Sequence, residues 1–120
     1  DAIFAPFALD NHPDHRTAAY IVADALASIS WDVRVLGYEV WGYCIPNVVV
    51  VIDDVIEKKL EMLACFPFAN SALDYVHSTK GLNMYHSRLL GAGQCRYAER
   101  FFELPRKDYI DFIAELRPKS

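Results

Sequence analysis

Five consecutive apolar residues, Val48-Val49-Val50-Val51-Ile52, constrain the fold of this chain more than any other feature. They are β-branched throughout and show no alternation with polar residues, the pattern of a strand covered on both faces. Asp53-Asp54 and then a stripe of Ile56, Leu60, Leu63 and Ala64 follow, which predicts a helix over about Val55 to Cys65, capped by Asp53 or Asp54. A doubly covered strand running into an amphipathic helix is the building unit of α/β layer proteins. The apolar run is far too short to span a membrane.

The same logic extends in both directions. Asp1 to Ala5 reads as a short buried strand and Pro6 to Asn11 as a loop. Asn11 is a suitable N-cap and Pro13 suits a first helical turn, where its missing N–H would be unpaired in any case. From Arg16 onward, Ala18, Ala19, Ile21, Val22, Ala25, Leu26 and Ile29 recur at helical spacing, so a helix is expected from Pro13 to Ser28. Ser30 to Asp32 is a connector. Val33 to Trp41 is rich in β-formers and reads as a strand with an irregularity at Gly37; Gly42 to Pro46 is a turn or loop. Beyond the second helix, Pro67 is expected to end it, and Asn70 to Ala72 to be loop. Leu73 to Gln94 reads as mostly helical, weakened at Gly81, Gly91 and Gly93. Tyr97 to Leu104 is expected to be a short helix or irregular. Asp108 would cap a last helix through Leu116. No repeat or low-complexity stretch occurs.

Composition bounds the function classes. With 120 residues the chain is at most one domain, and 53% of it is hydrophobic. A mean hydropathy of +0.08 is high for so short a chain. A domain of this size buries a limited share of its surface, so either a large partner surface or a missing piece of the same domain is expected. The chain starts at Asp1 without Met and enters Ile3-Phe4-Ala5 almost at once, so the N-terminal part of the domain is expected to lie outside this sequence. The net charge of -4 and the lack of clustered Lys/Arg argue against nucleic acid. Cys44, Cys65 and Cys95 are odd in number and form no CxxC. They read as small buried hydrophobes in a reducing cytoplasm rather than as a disulfide framework.

Chemistry concentrates in Asp10-Asn11-His12-Pro13-Asp14-His15-Arg16. Two imidazoles, two carboxylates and a guanidinium fall within seven residues, where a strand and loop give way to a helix N-terminus, the usual position of sites in open α/β sheets. His12 and His15, three apart, share a face of a first helical turn. Neutral imidazole is a common zinc ligand, and Asp14 between them can accept an N–H from one ring and fix its tautomer. An isolated HxxH has little specificity, with surface or capping histidines as its ordinary meaning; HPDH between an apolar strand and an alanine-rich helix is much sharper.

HPDH in this setting resembles the second motif of the PIG-L/LmbE-like zinc N-deacetylases. The similarity continues through Tyr38-Glu39-Val40-Trp41, through Pro46-Asn47 to Asp53 with Glu57-Lys58-Lys59 and Leu63, and through Tyr97-Ala98-Glu99-Arg100-Phe101, from Ile3 to about Phe101. The resemblance implies a Rossmann-like three-layer α/β fold, of which residues 1–120 are the C-terminal portion. It implies one zinc held by a His and an Asp of an AHPDDE-type N-terminal motif together with His15. It makes His12 the group that stabilises the oxyanion or protonates the leaving amine, Asp14 the support of His12, and an Asp of the N-terminal motif the general base. The reaction implied is hydrolysis of an N-acetyl amide on an N-acetylglucosamine-type sugar or glycoconjugate, releasing acetate and an amine. This chain contains no AHPDDE, so by itself it is expected to be inactive, a fragment or one half of a split enzyme. Where the family often has Ser-Gln after the second helix, this chain has Pro67-Phe68-Ala69-Asn70-Ser71.

Other residues leave two meanings open. Arg16 binds an anionic substrate group or pairs with Asp10 or Asp14. Glu39 contacts substrate or is salt-bridged. Trp41 and Tyr43 stack on a sugar or pack in a core or interface. His77 and His86 read as surface or hydrogen-bonded histidines, and Tyr85, Phe101, Phe102, Tyr109 and Phe112 as core or interface aromatics. The expected partners are an N-acetylated sugar and either a second copy or a complementary N-terminal chain, with no membrane span. The alternatives are a non-catalytic carbohydrate-binding or regulatory module on the same fold, and an unrelated metal hydrolase with ligands elsewhere in the chain.

Overall fold

The structure, a computed structural model, describes residues 1–118. In chain order the elements are β1 (Ala2–Pro6), α1 (Pro13–Ala27), β2 (Arg34–Tyr38), β3 (Val48–Val51), α2 (Ile56–Ala64), α3 (Pro67–Ala72), α4 (Tyr75–Ser87) with a 3₁₀ turn at Arg88–Leu90, β4 (Ala98–Pro105) and α5 (Arg106–Leu116). The strands follow the order β1-β2-β4-β3 in one mixed sheet, β1 parallel to β2 and β2 antiparallel to β4. The chain is α/β, as expected. Its described residues divide into two compact units, residues 1–48 with 100–118, and residues 49–99.

The first unit is a parallel β1-α1-β2 crossover closed by α5. Parallel pairing requires a long connection, which α1 supplies. The register runs from Ala2 opposite Arg34 to Pro6 opposite Tyr38. Ala19, Ala23 and Leu26 recur on one face of α1 and are buried with Ala5, Val33, Val35, Tyr109 and Ile113. Two alanines on that face let the helix lie close over the sheet, and burying Leu26 contributes about 2 kcal/mol. Arg106 closes the far end of α1 by donating from Nη1 to the carbonyls of Leu26 (3.1 Å) and Ile29 (2.9 Å). The Leu26 carbonyl is among the last four of α1, which have no partner within the helix body, and Ile29 lies just beyond the C-cap Ser28. Gly37 sits in regular pairing in β2, between Ala5 and Phe102. There is no irregularity there; the strand stops at Tyr38 instead of reaching Trp41.

The second unit builds its own small core from Ile52, Ile56, Leu60 and Tyr97, with Leu63 and Val76 against it. Asp53 does not cap α2. Its carboxylate accepts from the amides of Arg96 (3.0 Å) and Tyr97 (2.6 Å), while Val55 stands at the N-cap with no side-chain bond.

Three further expectations are corrected. Tyr97 to Leu104 is neither helix nor irregular: Ala98–Pro105 is β4. Asn70 to Ala72 lies within helix α3, which Pro67 opens at its first turn; α2 ends at Ala64, ahead of that proline, as expected. The valine run is a strand, but Val50 and Val51 are exposed, because β3 stands at the end of the strand order. No helix among the described residues is long and apolar enough to cross a membrane.

Candidate metal-binding and catalytic site

Because β1 and β2 are parallel, their carboxyl ends lie at one edge, and the loops leaving them meet there. The loop after β1 carries Asp10 into the start of α1. The loop after β2 carries Glu39 to Cys44. Both are in the first unit.

Asp10 is the centre of the arrangement. It is 1% exposed. Its Oδ1 accepts from the His12 amide at 2.8 Å and from the His15 ring Nδ1 at 2.9 Å. Its Oδ2 accepts from the amides of Trp41 (2.8 Å) and Gly42 (2.9 Å). Burial pushes the carboxyl up, but these four bonds outweigh it and hold Asp10 well below the usual carboxylate range. An ionised carboxylate can only accept, so His15 must carry its proton on Nδ1. Its Nε2 lone pair is then available.

His12, not Asn11, is the N-cap of α1, and its ring Nδ1 accepts from the Asp14 amide at 3.2 Å. An accepting Nδ1 puts the proton of the neutral ring on Nε2. The two rings lie 4.8 Å apart, tilted by 37°. In the neutral rings one therefore offers a lone pair and the other an N–H. His15 is 24% exposed and His12 45%, so neither is packed dry inside the fold.

The remaining candidates are placed as follows. The Asp14 carboxylate is 87% exposed and stands 3.9 Å from His12 Nδ1, beyond hydrogen-bond distance. Arg16 donates from Nη1 to the backbone carbonyls of Asp10 (2.8 Å) and Asn11 (3.0 Å); it braces the loop rather than pairing with either carboxylate. Glu39 accepts from the Cys44 amide at 2.8 Å and pairs with Arg100, the salt-bridged meaning left open by the sequence. Trp41 is 53% exposed and Tyr43 82%, beside the turn that Asp10 holds. Of the histidines outside the site, His86 is buried and His77 exposed. The sequence placed Asp10 in the motif as a possible partner of Arg16 but with no role toward the histidines. The local signal was Asp-x-His, since a carboxylate accepting from the amide two residues on makes an Asx turn.

An oriented neutral imidazole with a carboxylate behind it is the donor type zinc takes in proteins. No group of three or more His, Cys, Asp or Glu side chains able to hold a metal occurs among the described residues. His15 fits as one ligand, and a catalytic zinc needs about three protein donors.

No family model matches the chain, nor does any curated protein. Among solved structures the chain is similar to the conserved protein TT1542 from Thermus thermophilus, with a TM-score of 0.67 and 22% identity over 83% of this chain and 49% of that one. The chain thus spans about half the length of that structure, and the likeness concerns the fold.

Proposed function

We propose that this chain carries the helix-borne half of a zinc-dependent N-deacetylase site of the PIG-L/LmbE-like kind, in the C-terminal portion of a Rossmann-like domain. The observation that carries this reading is the hydrogen bonding of two neighbouring rings: His15 Nδ1 lies 2.9 Å from Asp10 Oδ1, and His12 Nδ1 accepts from the Asp14 amide at 3.2 Å, which in the neutral rings leaves a lone pair on His15 Nε2 and an N–H on His12 Nε2. Bound zinc supplies Lewis acidity, which activates water at neutral pH and polarises an acyl carbonyl. His15 contributes one ligand, the others coming from polypeptide bearing an AHPDDE-type motif. His12 donates to the oxygen that becomes negative as water adds to the amide carbon; one such donor is worth about 3–4 kcal/mol. As the C–N bond breaks, the proton lost by the attacking water would reach the leaving amine by way of the general base of that motif. The exposed Trp41 and Tyr43 offer faces for a sugar of the N-acetylglucosamine type, and acetate and the free amine are the products. Three free thiols, one of them on the exposed Cys65, fit a reducing cytoplasm.

The test uses the protein with its complete ligand set. His15→Ala should lose zinc. His12→Ala should keep zinc and lose turnover by about a hundredfold or more. Wild-type zinc content and turnover in both variants would end the assignment.

A second reading is a non-catalytic carbohydrate-binding module. The exposure of both Trp41 and Tyr43, two residues apart in one loop, favours it. It requires sugar binding that survives chelation of metal and the loss of both histidines.

A further inference from the structure

We infer that Asp10 is the positioning residue of this site, a single buried carboxylate that fixes the tautomer of His15 and ties the Trp41–Gly42 turn to it. The inference deepens the deacetylase reading and rests on it for the ligand role of His15. Asp14, the residue expected to orient a ring, has its carboxylate exposed and out of reach of His12 Nδ1. Asp10 has no exposed surface on its side chain and stands at 2.9 Å from His15 Nδ1.

All four groups around Asp10 are donors: two amides on Oδ2, one amide and one ring N–H on Oδ1. A carboxylate offers about four lone-pair directions and no proton, so it matches this set completely. An amide does not. In Asp10→Asn one oxygen can still serve two donors, but the NH₂ must face the other two. If it faces His15, that ring has to accept, and its proton moves to Nε2. The ring then turns an N–H outward where a metal needs a lone pair. If the NH₂ faces Trp41 and Gly42 instead, the turn loses both of its bonds. The two oxygens thus link the ring and the Trp41–Tyr43 edge through one side chain. Carboxylates behind ligating histidines typically carry a 10–100-fold effect on metal affinity.

The experiment is nitrogen-detected NMR of the histidine rings of the full chain, at a pH where the imidazoles are neutral, in wild type and in Asp10→Asn. A zinc titration of both, in the protein with its complete ligand set, accompanies it. Wild-type His15 should be in the Nδ1–H form. In Asp10→Asn it should move to Nε2–H, or the amide resonances of Trp41 and Gly42 should shift as their bonds are lost. Zinc affinity should fall by about 10–100-fold. Wild-type His15 in the Nε2–H form overturns the inference without any variant, so failure of Asp10→Asn to fold leaves it falsifiable. An unchanged ring, unchanged turn amides and unchanged zinc affinity in folded Asp10→Asn overturn it as well. A tautomer that follows Asp10 in a protein that binds no zinc upholds the clasp and removes the deacetylase reading. Zinc lost in His15→Ala, together with a ring indifferent to Asp10, does the reverse.

Discussion

Arg100 and Glu39 meet fork to fork, with Nε donating to Oε2 at 2.9 Å and Nη2 to Oε1 at 2.5 Å. Both side chains are largely buried, and Glu39 Oε1 also accepts from the Cys44 amide. The pair therefore anchors the two ends of the same loop, Glu39 and Cys44, whose middle Asp10 holds at Trp41 and Gly42. Removing one partner of a buried pair leaves an uncompensated charge, at a cost of about 3–5 kcal/mol. Glu39→Ala should lower the unfolding free energy measured in urea by that amount. A Glu39 that served substrate instead would raise KM and leave the urea midpoint alone.

Gly42→Ala should damage the site through the backbone. A Cβ there would stand 2.9 Å from the Asp10 Cα and 3.3 Å from the Asn11 nitrogen. Neither atom belongs to a flexible side chain, so the turn itself must move. The expected cost is about 1–3 kcal/mol, with faster hydrogen exchange at the Trp41 amide. Unchanged exchange and stability would contradict the close packing of the two loops.

Alkaline pH should weaken the fold in a definite window. Burial, aided by the charge of Glu39, pushes the Cys44 thiol from 9.0 up to about 11. Burial pushes the Tyr109 hydroxyl from 10.0 up to about 12. In both, the folded chain keeps the proton to a higher pH than the unfolded chain. Their stabilisation is whole below 9.0 and 10.0 respectively, and is lost as pH climbs through about 11 and about 12. Stability measured against pH should hold to about pH 9 and then decline, and Tyr109→Phe should flatten the upper part of the decline. At the acid end the sign reverses. Asp10 is held low, so its stabilisation is present above the ordinary carboxylate value of 3.8 and drains away as pH falls below it.

Asp53→Ala should loosen the second unit. The carboxylate accepts from the Arg96 and Tyr97 amides, and losing these charge-assisted bonds costs roughly 1–3 kcal/mol. Exchange at residues 96 and 97 should quicken, while helix α2, which Asp53 does not cap, keeps its own protection. Loss of protection confined to α2 would mean that Asp53 caps it after all.

Helix α1, strands β1 and β2 and the position of HPDH at a helix start were legible because each rests on local chemistry: helical spacing of apolar residues, β-branched runs, and proline in a first turn. Strand β4 was not. Its buried residues Ala98 and Phe101 fall three apart, which hides the two-residue period of a strand. Its charges are matched by residues far away in sequence: Glu99 by Lys59, Arg100 by Glu39, Glu103 by Arg34. A short window sees three charges where the folded strand has three partnered ones. Asp10 was hidden for the same reason, since two of its four donors come from about thirty residues on. The imidazoles were visible as a motif, but their tautomers depend on neighbours that only the fold brings together.

The bracing of α1 by Arg106, and by Arg117 on the Tyr20 carbonyl and Asp24, has a consequence for biosynthesis. An early helix is finished by contacts about 80 residues later in the chain. During translation the β1-α1-β2 segment lacks Tyr109 and Ile113 of its core, and the Arg106 brace, until α5 has left the ribosome, whereas residues 49–99 are already synthesised. The interval of greatest exposure to chaperones therefore belongs to the segment that bears the histidines.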